Sequence, residues 1–253
     1  MKSFSGIILA AGKGNRLNNY NKPKSTLELK KNYTLLDKII SNFKKNKIKK
    51  LFIITGYKEN YLKKYNIKKI FNKNWKNTNM LKSLLCADKI LKKNDCIVSY
   101  SDIFYDESAI RLLKKQKSDI AICYLSNWLN LWKRRFNDPL VDAETFKLEK
   151  KTNILKAIGS KPKNLRQIEG QYMGLLYFTP SGWKKIKNIL KKIKNKNKIN
   201  KLSMTQLLNI ILNQGIKIKA VKYKNYFAEI DFPKDYNILK SDLKRLNLTK
   251  SFK

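Results

Sequence analysis

A chain of 253 residues that is 42% hydrophobic is long and apolar enough to fill the core of one large α/β domain. Its 57 lysines and arginines against 18 aspartates and glutamates give a formal charge of +39. The cations are spread over nearly every segment, so they read as a solvated basic surface with few turned to a ligand, and nucleic acid is not the expected partner. Histidine is absent, which removes imidazole as base and as metal ligand, so any metal must be a hard cation such as Mg²⁺ held by oxygen.

The amino terminus, MKSFSGIILAAG, has too short an apolar run before glycine and charge to be a secretory signal. No stretch of about 18 apolar residues follows, so a membrane span is not expected. GIILAA, KLFIITG, DCIVSYSD and SDIAICYL have the length and composition of buried strands, and TLLDKIISNFKKN, NMLKSLLCADKILKK and SAIRLLKKQ between them have helical periodicity. Continuous apolar strands alternating with amphipathic helices predict a Rossmann-like α/β fold, a mixed and mostly parallel sheet with helices on both faces. From about Ser126 to Ile168 the alternation stops and Pro139 and Pro162 interrupt the chain. Loops and short antiparallel strands over the ligand site are expected there.

LLYFTPSGW returns to a core strand, and SGWKKIKNILKKI to a capped helix. KKIKNKNKINK, residues 191–201, is expected to be an exposed helix end and loop. MTQLLNIILNQG predicts a helix closed by Gly215, KIKAVKY a strand, and FAEIDFPKDYNILKSDLKRL a turn at Pro233 before a last helix capped by Asp235. No repeat or linker divides residues 1–253, so one domain is expected, with about 126–175 inserted into it. Cys86, Cys96 and Cys123 lie far apart with no CxxC pair and read as the reduced thiols of a cytoplasmic protein.

LAAGKGNRL, Leu9 to Leu17, places glycines where a buried strand turns out of the sheet. Backbone N–H groups there can meet a phosphate, and small residues let a nucleotide lie close. The third glycine of GxGxxG is missing and no GxxxxGK occurs, so neither a dinucleotide fingerprint nor a P-loop is present. Asp102 stands at the end of CIVSYSD, on the side of a parallel sheet where ligands gather.

LAAGxGxRL followed at short distance by KPK resembles the signature of the nucleotidyltransferases that make activated sugars and alcohols from nucleoside triphosphates. The resemblance implies that Leu9, Ala10, Ala11 and Gly12 contact the base while Gly14, Arg16 and Lys24 hold the triphosphate. It also implies that Asp102 and Asp231, the latter in an ExD context, hold Mg²⁺, with Glu229 as a weaker companion. Asn79 and Ser83, in NTNMLKSLLCA, match a pair found near the nucleotide in the small cytidylyltransferase branch; a polar helix start that caps itself is the alternative. Arg16 offers a fork and Lys24 a mobile point charge, which suits pyrophosphate departure.

Trp128 and Trp132 either wall a cationic group or pack in the core. Arg134 and Arg135 suit an acceptor phosphate or carboxylate. IEGQYMGLLYF looks like the family's acceptor segment, with Glu169, Tyr172 and Gly174 as candidates. The resemblance spans nearly the whole chain and is nearest to branches that join CTP to phosphocholine, 2-aminoethylphosphonate or phosphorylated glutamine for surface-polymer decoration. WxxLWxxRF, DPLxDAExF and MTxLL look most like the phosphoglutamine enzymes, whose product is CDP-L-glutamine for capsule phosphoramidate. A sugar 1-phosphate acceptor with UTP or dTTP, and a basic nucleic-acid-binding protein acting through residues 191–201, are the rival readings; monomer and homodimer both stay open.

Overall fold

The computed structural model describes residues 3–17 and 20–252. In chain order the elements are β1 (Phe4–Ala10), β2 (Glu28–Lys30), β3 (Tyr33–Thr34), α1 (Leu35–Lys45), β4 (Lys50–Thr55), β5 (Lys68–Phe71), α2 (Met80–Leu85), α3 (Asp88–Leu91), β6 (Asp95–Tyr100), β7 (Ile103–Phe104), α4 (Glu107–Lys114), β8 (Ile120–Leu125) and α5 (Trp128–Arg135). They continue with β9 (Phe146–Leu148), β10 (Leu155–Ile158), β11 (Gln171–Phe178), α6 (Pro180–Lys192), α7 (Lys196–Lys201), α8 (Met204–Asn213), β12 (Lys219–Tyr223), β13 (Ala228–Glu229) and α9 (Pro233–Arg245).

Seven strands form one sheet in the order β12-β8-β11-β6-β1-β4-β5. Pairings are parallel except those of β11, which runs antiparallel to both β6 and β8. Side chains alternate between the faces of a strand, and β6 shows which helices lie where. Cys96 donates to the Ile90 carbonyl of α3. Ser99, three positions on and so on the other face, meets the Tyr105 hydroxyl, and the Tyr105 carbonyl accepts from Asn42 of α1. Helices therefore cover both faces, which explains why the central strands are buried along nearly their whole length.

The predicted strands and the first helices are where the periodicity put them. Thr34 caps α1 in a capping box with Asp37, Thr179 caps α6 with Pro180 in its first turn, and Gly215, at φ +73°, follows α8. Two segments differ from expectation. Residues 126–168 contain the β9–β10 hairpin but also the two-turn helix α5. Residues 196–201 form α7, capped by Asn195 and packed against α2, where a loop was expected.

Candidate active site

β1 ends at Ala10 and the chain turns out of the sheet through Gly14, which has φ +68°. A Cβ on Gly14 would lie 2.6 Å from Lys24 Cε and 2.7 Å from its Cγ, so the glycine both makes the turn and leaves room for the lysine stem. Pro23 starts the short turn that carries Lys24, closed by the Thr26 and Leu27 amides donating to the Pro23 and Lys24 carbonyls. In a chain crowded with lysines this one is buried, its side chain 10% exposed.

Asp102 and Asp231 are brought together from distant segments. The β7/β13 ribbon pairs Ile103 with Glu229 and Phe104 with Ala228, and the Ile230 amide donates to the Asp102 carbonyl at 2.9 Å. Lys24 Nζ then lies 2.7 Å from Asp231 Oδ1 and 3.3 Å from Asp102 Oδ2. Arg16 reaches the same Asp231 oxygen at 2.7 Å, its guanidinium over the Phe232 ring. Burial works against ionised Asp231, yet Lys24, Arg16 and Arg135 hold its carboxyl below the ordinary value. Asp102 goes the other way: burial raises it, Lys24 offsets only part of the rise, and Asp231 adds repulsion. Burial likewise opposes the charge on Lys24, but the two aspartates keep its pKa raised.

Leu9, Ala10, Ala11, Gly12, Gly14, Arg16, Lys24, Asn79, Ser83, Asp102 and Asp231, the residues expected around the nucleotide and metal, line one cleft of about 210 Å³. Among the described residues, chain neighbours aside, nothing lies within 4 Å of where a Gly12 Cβ would be, so packing does not require that glycine, which lines the cleft. Asn79 caps α2: its carboxamide oxygen accepts from the Met80 amide and its NH₂ donates to the Lys201 carbonyl. The self-capping alternative thus describes its side chain. Ser83 accepts from Asn72. The cleft wall also includes Ser25, Trp75, Thr78, Met80 and Ser101, which sequence reasoning missed. Ser25, next to Lys24 in KPKS, is buried with an unpartnered hydroxyl. Trp75 packs where Gly56 has no side chain, a contact that no motif announces.

The expected acceptor residues are placed otherwise, and none of them lines this cleft. Trp128 and Trp132 are buried edge to face, so the core alternative describes them. Arg134 makes a fork with Asp242 at 2.7 and 2.9 Å, and a bidentate partner occupies the face an acceptor would need. Glu169 is turned outward to Lys147 and the Leu148 amide. Gly174, at φ +73°, sits at the bulge of β11, where a Cβ would be 2.7 Å from the Tyr100 ring. Tyr172 packs edge on to that ring, its hydroxyl buried and unpartnered. Arg135 is 1% exposed and surrounded by carboxylates, so an acceptor cannot reach it. Glu229 is drawn to Arg135 at 3.4 Å and does not join the aspartate pair: among the described residues no three acidic, thiol or imidazole groups converge as a metal site.

Two carboxylates flanked by two cations still suit a metal that takes its remaining ligands from phosphates and water. Asp102 Oδ1 is buried without a hydrogen-bond partner, an acceptor such a cation would satisfy.

Residues 6–149 match the MobA-like NTP transferase domain. The chain belongs to that family. Members generally use a divalent metal. The transferase is 34% identical to the CTP:phosphoglutamine cytidylyltransferase of Campylobacter jejuni subsp. jejuni, over 93% of this chain and 98% of that protein. Its fold is shared with the inositol-1-phosphate CTP transferase of T. maritima, with a TM-score of 0.71 and 19% identity over 95% and 96% of the two chains. It is shared too with the CTP:phosphocholine cytidylyltransferase of Streptococcus pneumoniae, with a TM-score of 0.69 and 19% identity over 95% and 99%. The transferase is thus a nucleotidyltransferase enzyme, and among its described residues no helix is long and apolar enough to cross a membrane.

Proposed function

We propose that this chain transfers the cytidylyl group of CTP to a small phosphorylated acceptor, releasing pyrophosphate. Phosphorylated L-glutamine is the lead acceptor, giving CDP-L-glutamine for capsule phosphoramidate. The observation that carries the reaction is the meeting of Arg16 and Lys24 with Asp102 and Asp231 beside the segment Leu9 to Gly12 on one cleft wall. The likeness to the phosphoglutamine enzyme along almost the full length of both chains supports the acceptor.

An oxygen of the acceptor phosphate forms the new bond to the α-phosphorus, and the bond to the bridging oxygen breaks as pyrophosphate leaves with the electron pair. The attacking oxygen is already anionic near neutral pH, so no general base is needed, which suits a chain without histidine. Asp102 and Asp231 would hold Mg²⁺, which when bound would supply positive charge to the reacting phosphates. Lys24 and Arg16 turn from Asp231 to the triphosphate, orient it, and take up charge as pyrophosphate departs. The three cysteines are free, in keeping with a cytoplasmic reaction.

The test is pyrophosphate release with each of the four NTPs and Mg²⁺, against phosphorylated glutamine, phosphocholine, 2-aminoethylphosphonate and sugar phosphates. CTP with phosphorylated glutamine should be turned over fastest; release with no pair would overturn the reading. Asp102→Asn should lower kcat by about 10³-fold or more with the fold intact by circular dichroism.

A further inference from the structure

Arg135, the last residue of α5, is the most heavily engaged cation in the structure and is not part of the cleft wall. Its guanidinium forks onto Asp235, Nε to Oδ1 at 3.0 Å and one terminal nitrogen to Oδ2 at 3.2 Å. The second terminal nitrogen lies 3.4 Å from Glu229 and 3.8 Å from Asp142, and the first also lies 3.6 Å from Asp231 Oδ2. The Trp132 and Phe136 rings, each 5.0 Å from the guanidinium carbon, flank it. One of the paired tryptophans, Trp132, therefore walls a cation, and it is the protein's own, while Trp128 packs edge to face against Trp132 in the core.

Asp235 is more than a helix cap. One of its oxygens accepts from the backbone amides of Asp231 and Phe232, both at 2.9 Å. The fork thus grips the group that fixes the Asp231 backbone, while the same guanidinium attracts the outer oxygen of the Asp231 carboxylate.

We propose that Arg135 is a positioning residue that sets the aim and spacing of the Asp231 carboxylate, and so the affinity for the divalent metal bound with the nucleotide. The proposal rests on the reading of Asp102 and Asp231 as the metal pair. Among the described residues no other cation pairs with Glu229, Asp142 and Asp235 together, so without Arg135 these carboxyls would crowd Asp231 with nothing bridging them. A lysine keeps the charge but lacks the planar fork, so it restores attraction without aim.

The test is Mn²⁺ binding followed by electron paramagnetic resonance, with CTP present and no acceptor, in the wild type, Arg135→Lys, Arg135→Met and Asp102→Asn; CTP binding without metal is measured in parallel. Groups that orient metal ligands typically change affinity 10–100-fold. Arg135→Met should weaken Mn²⁺ by that factor and Arg135→Lys by less, while metal-free CTP binding stays within about twofold. A general loss of structure would lower both affinities together, and if Arg135→Met does not fold, Arg135→Lys carries the comparison. Unchanged Mn²⁺ affinity in a folded Arg135 variant, with Asp102→Asn losing the metal, overturns the positioning role alone. Mn²⁺ retained by Asp102→Asn overturns the metal pair and the proposal with it.

Discussion

Lys24 is held between two carboxylates that also suit a cation of higher charge. Removing its ammonium should hurt the reaction more than the binding of CTP, because a departing pyrophosphate gathers charge that the ground state lacks. Lys24→Met is expected to lower kcat by about 10²–10³-fold, read from initial rates of pyrophosphate release at saturating CTP. The glycines separate two demands. Gly12→Val adds atoms to open space beside the nucleotide, so its melting temperature should stay near that of the wild type while calorimetry finds CTP binding weakened by about tenfold or more. Gly14→Ala should lose both, since it strains a left-handed residue by about 1–2 kcal/mol and strikes the Lys24 stem. That Arg16, Lys24, Asp102 and Asp231 share one cleft was legible because LAAGxGxRL followed by KPK is a specific arrangement, which singles out aspartates that alone would be ordinary. Ser25 and Trp75 were not, since a lone serine and a lone tryptophan have many structural uses and only the fold brings them to the cleft.

Helix α5 shows how a period can be hidden. Trp128, Leu131, Trp132 and Arg135 occupy positions i, i+3, i+4 and i+7, and all four are buried, but one member of that apolar face is an arginine. Read by hydrophobicity alone the stripe breaks off, and loops were expected where a helix stands. Its neighbour Arg134 ties α5 to α9 through the buried Asp242, which also accepts from Arg245 and from the Tyr226 hydroxyl. Burial opposes ionised Asp242, but these partners hold its carboxyl below the ordinary 3.8. A carboxylate whose folded pKa is depressed stabilises the fold fully above the unfolded value, and that contribution fades as pH falls through the folded one. At pH 7 Asp242→Asn should lose about 1–3 kcal/mol in urea unfolding, and the gap from the wild type should narrow steadily below about pH 4.

The whole sheet is more entangled with the chain than its sequence of apolar runs reveals. Those runs told which segments are strands; direction and neighbourhood are set by connections, and β11 enters between β6 and β8, which precede it, with opposite polarity. The matched segment, residues 6–149, stops short of this strand. Residues 1–149 expressed alone should therefore lack native near-ultraviolet dichroism and dispersed amide resonances, because β8 has no partner linking it to β6. The same placement bears on α7, whose composition suggested an exposed helix end and loop: the Asn200 and Lys201 carbonyls accept from Asn79 at the cleft.

The insertion of β11 also fixes an order of events during synthesis. A nascent chain in which β1 to β8 have left the ribosome still has the flank of β6 open, a row of unpaired amides and carbonyls beside apolar side chains. That flank closes only when the strand beginning at Gln171 has emerged, and β8 then joins the sheet across it. Assembly on the ribosome thus waits on the last third of the message, and the interval before it is when this chain most needs a chaperone.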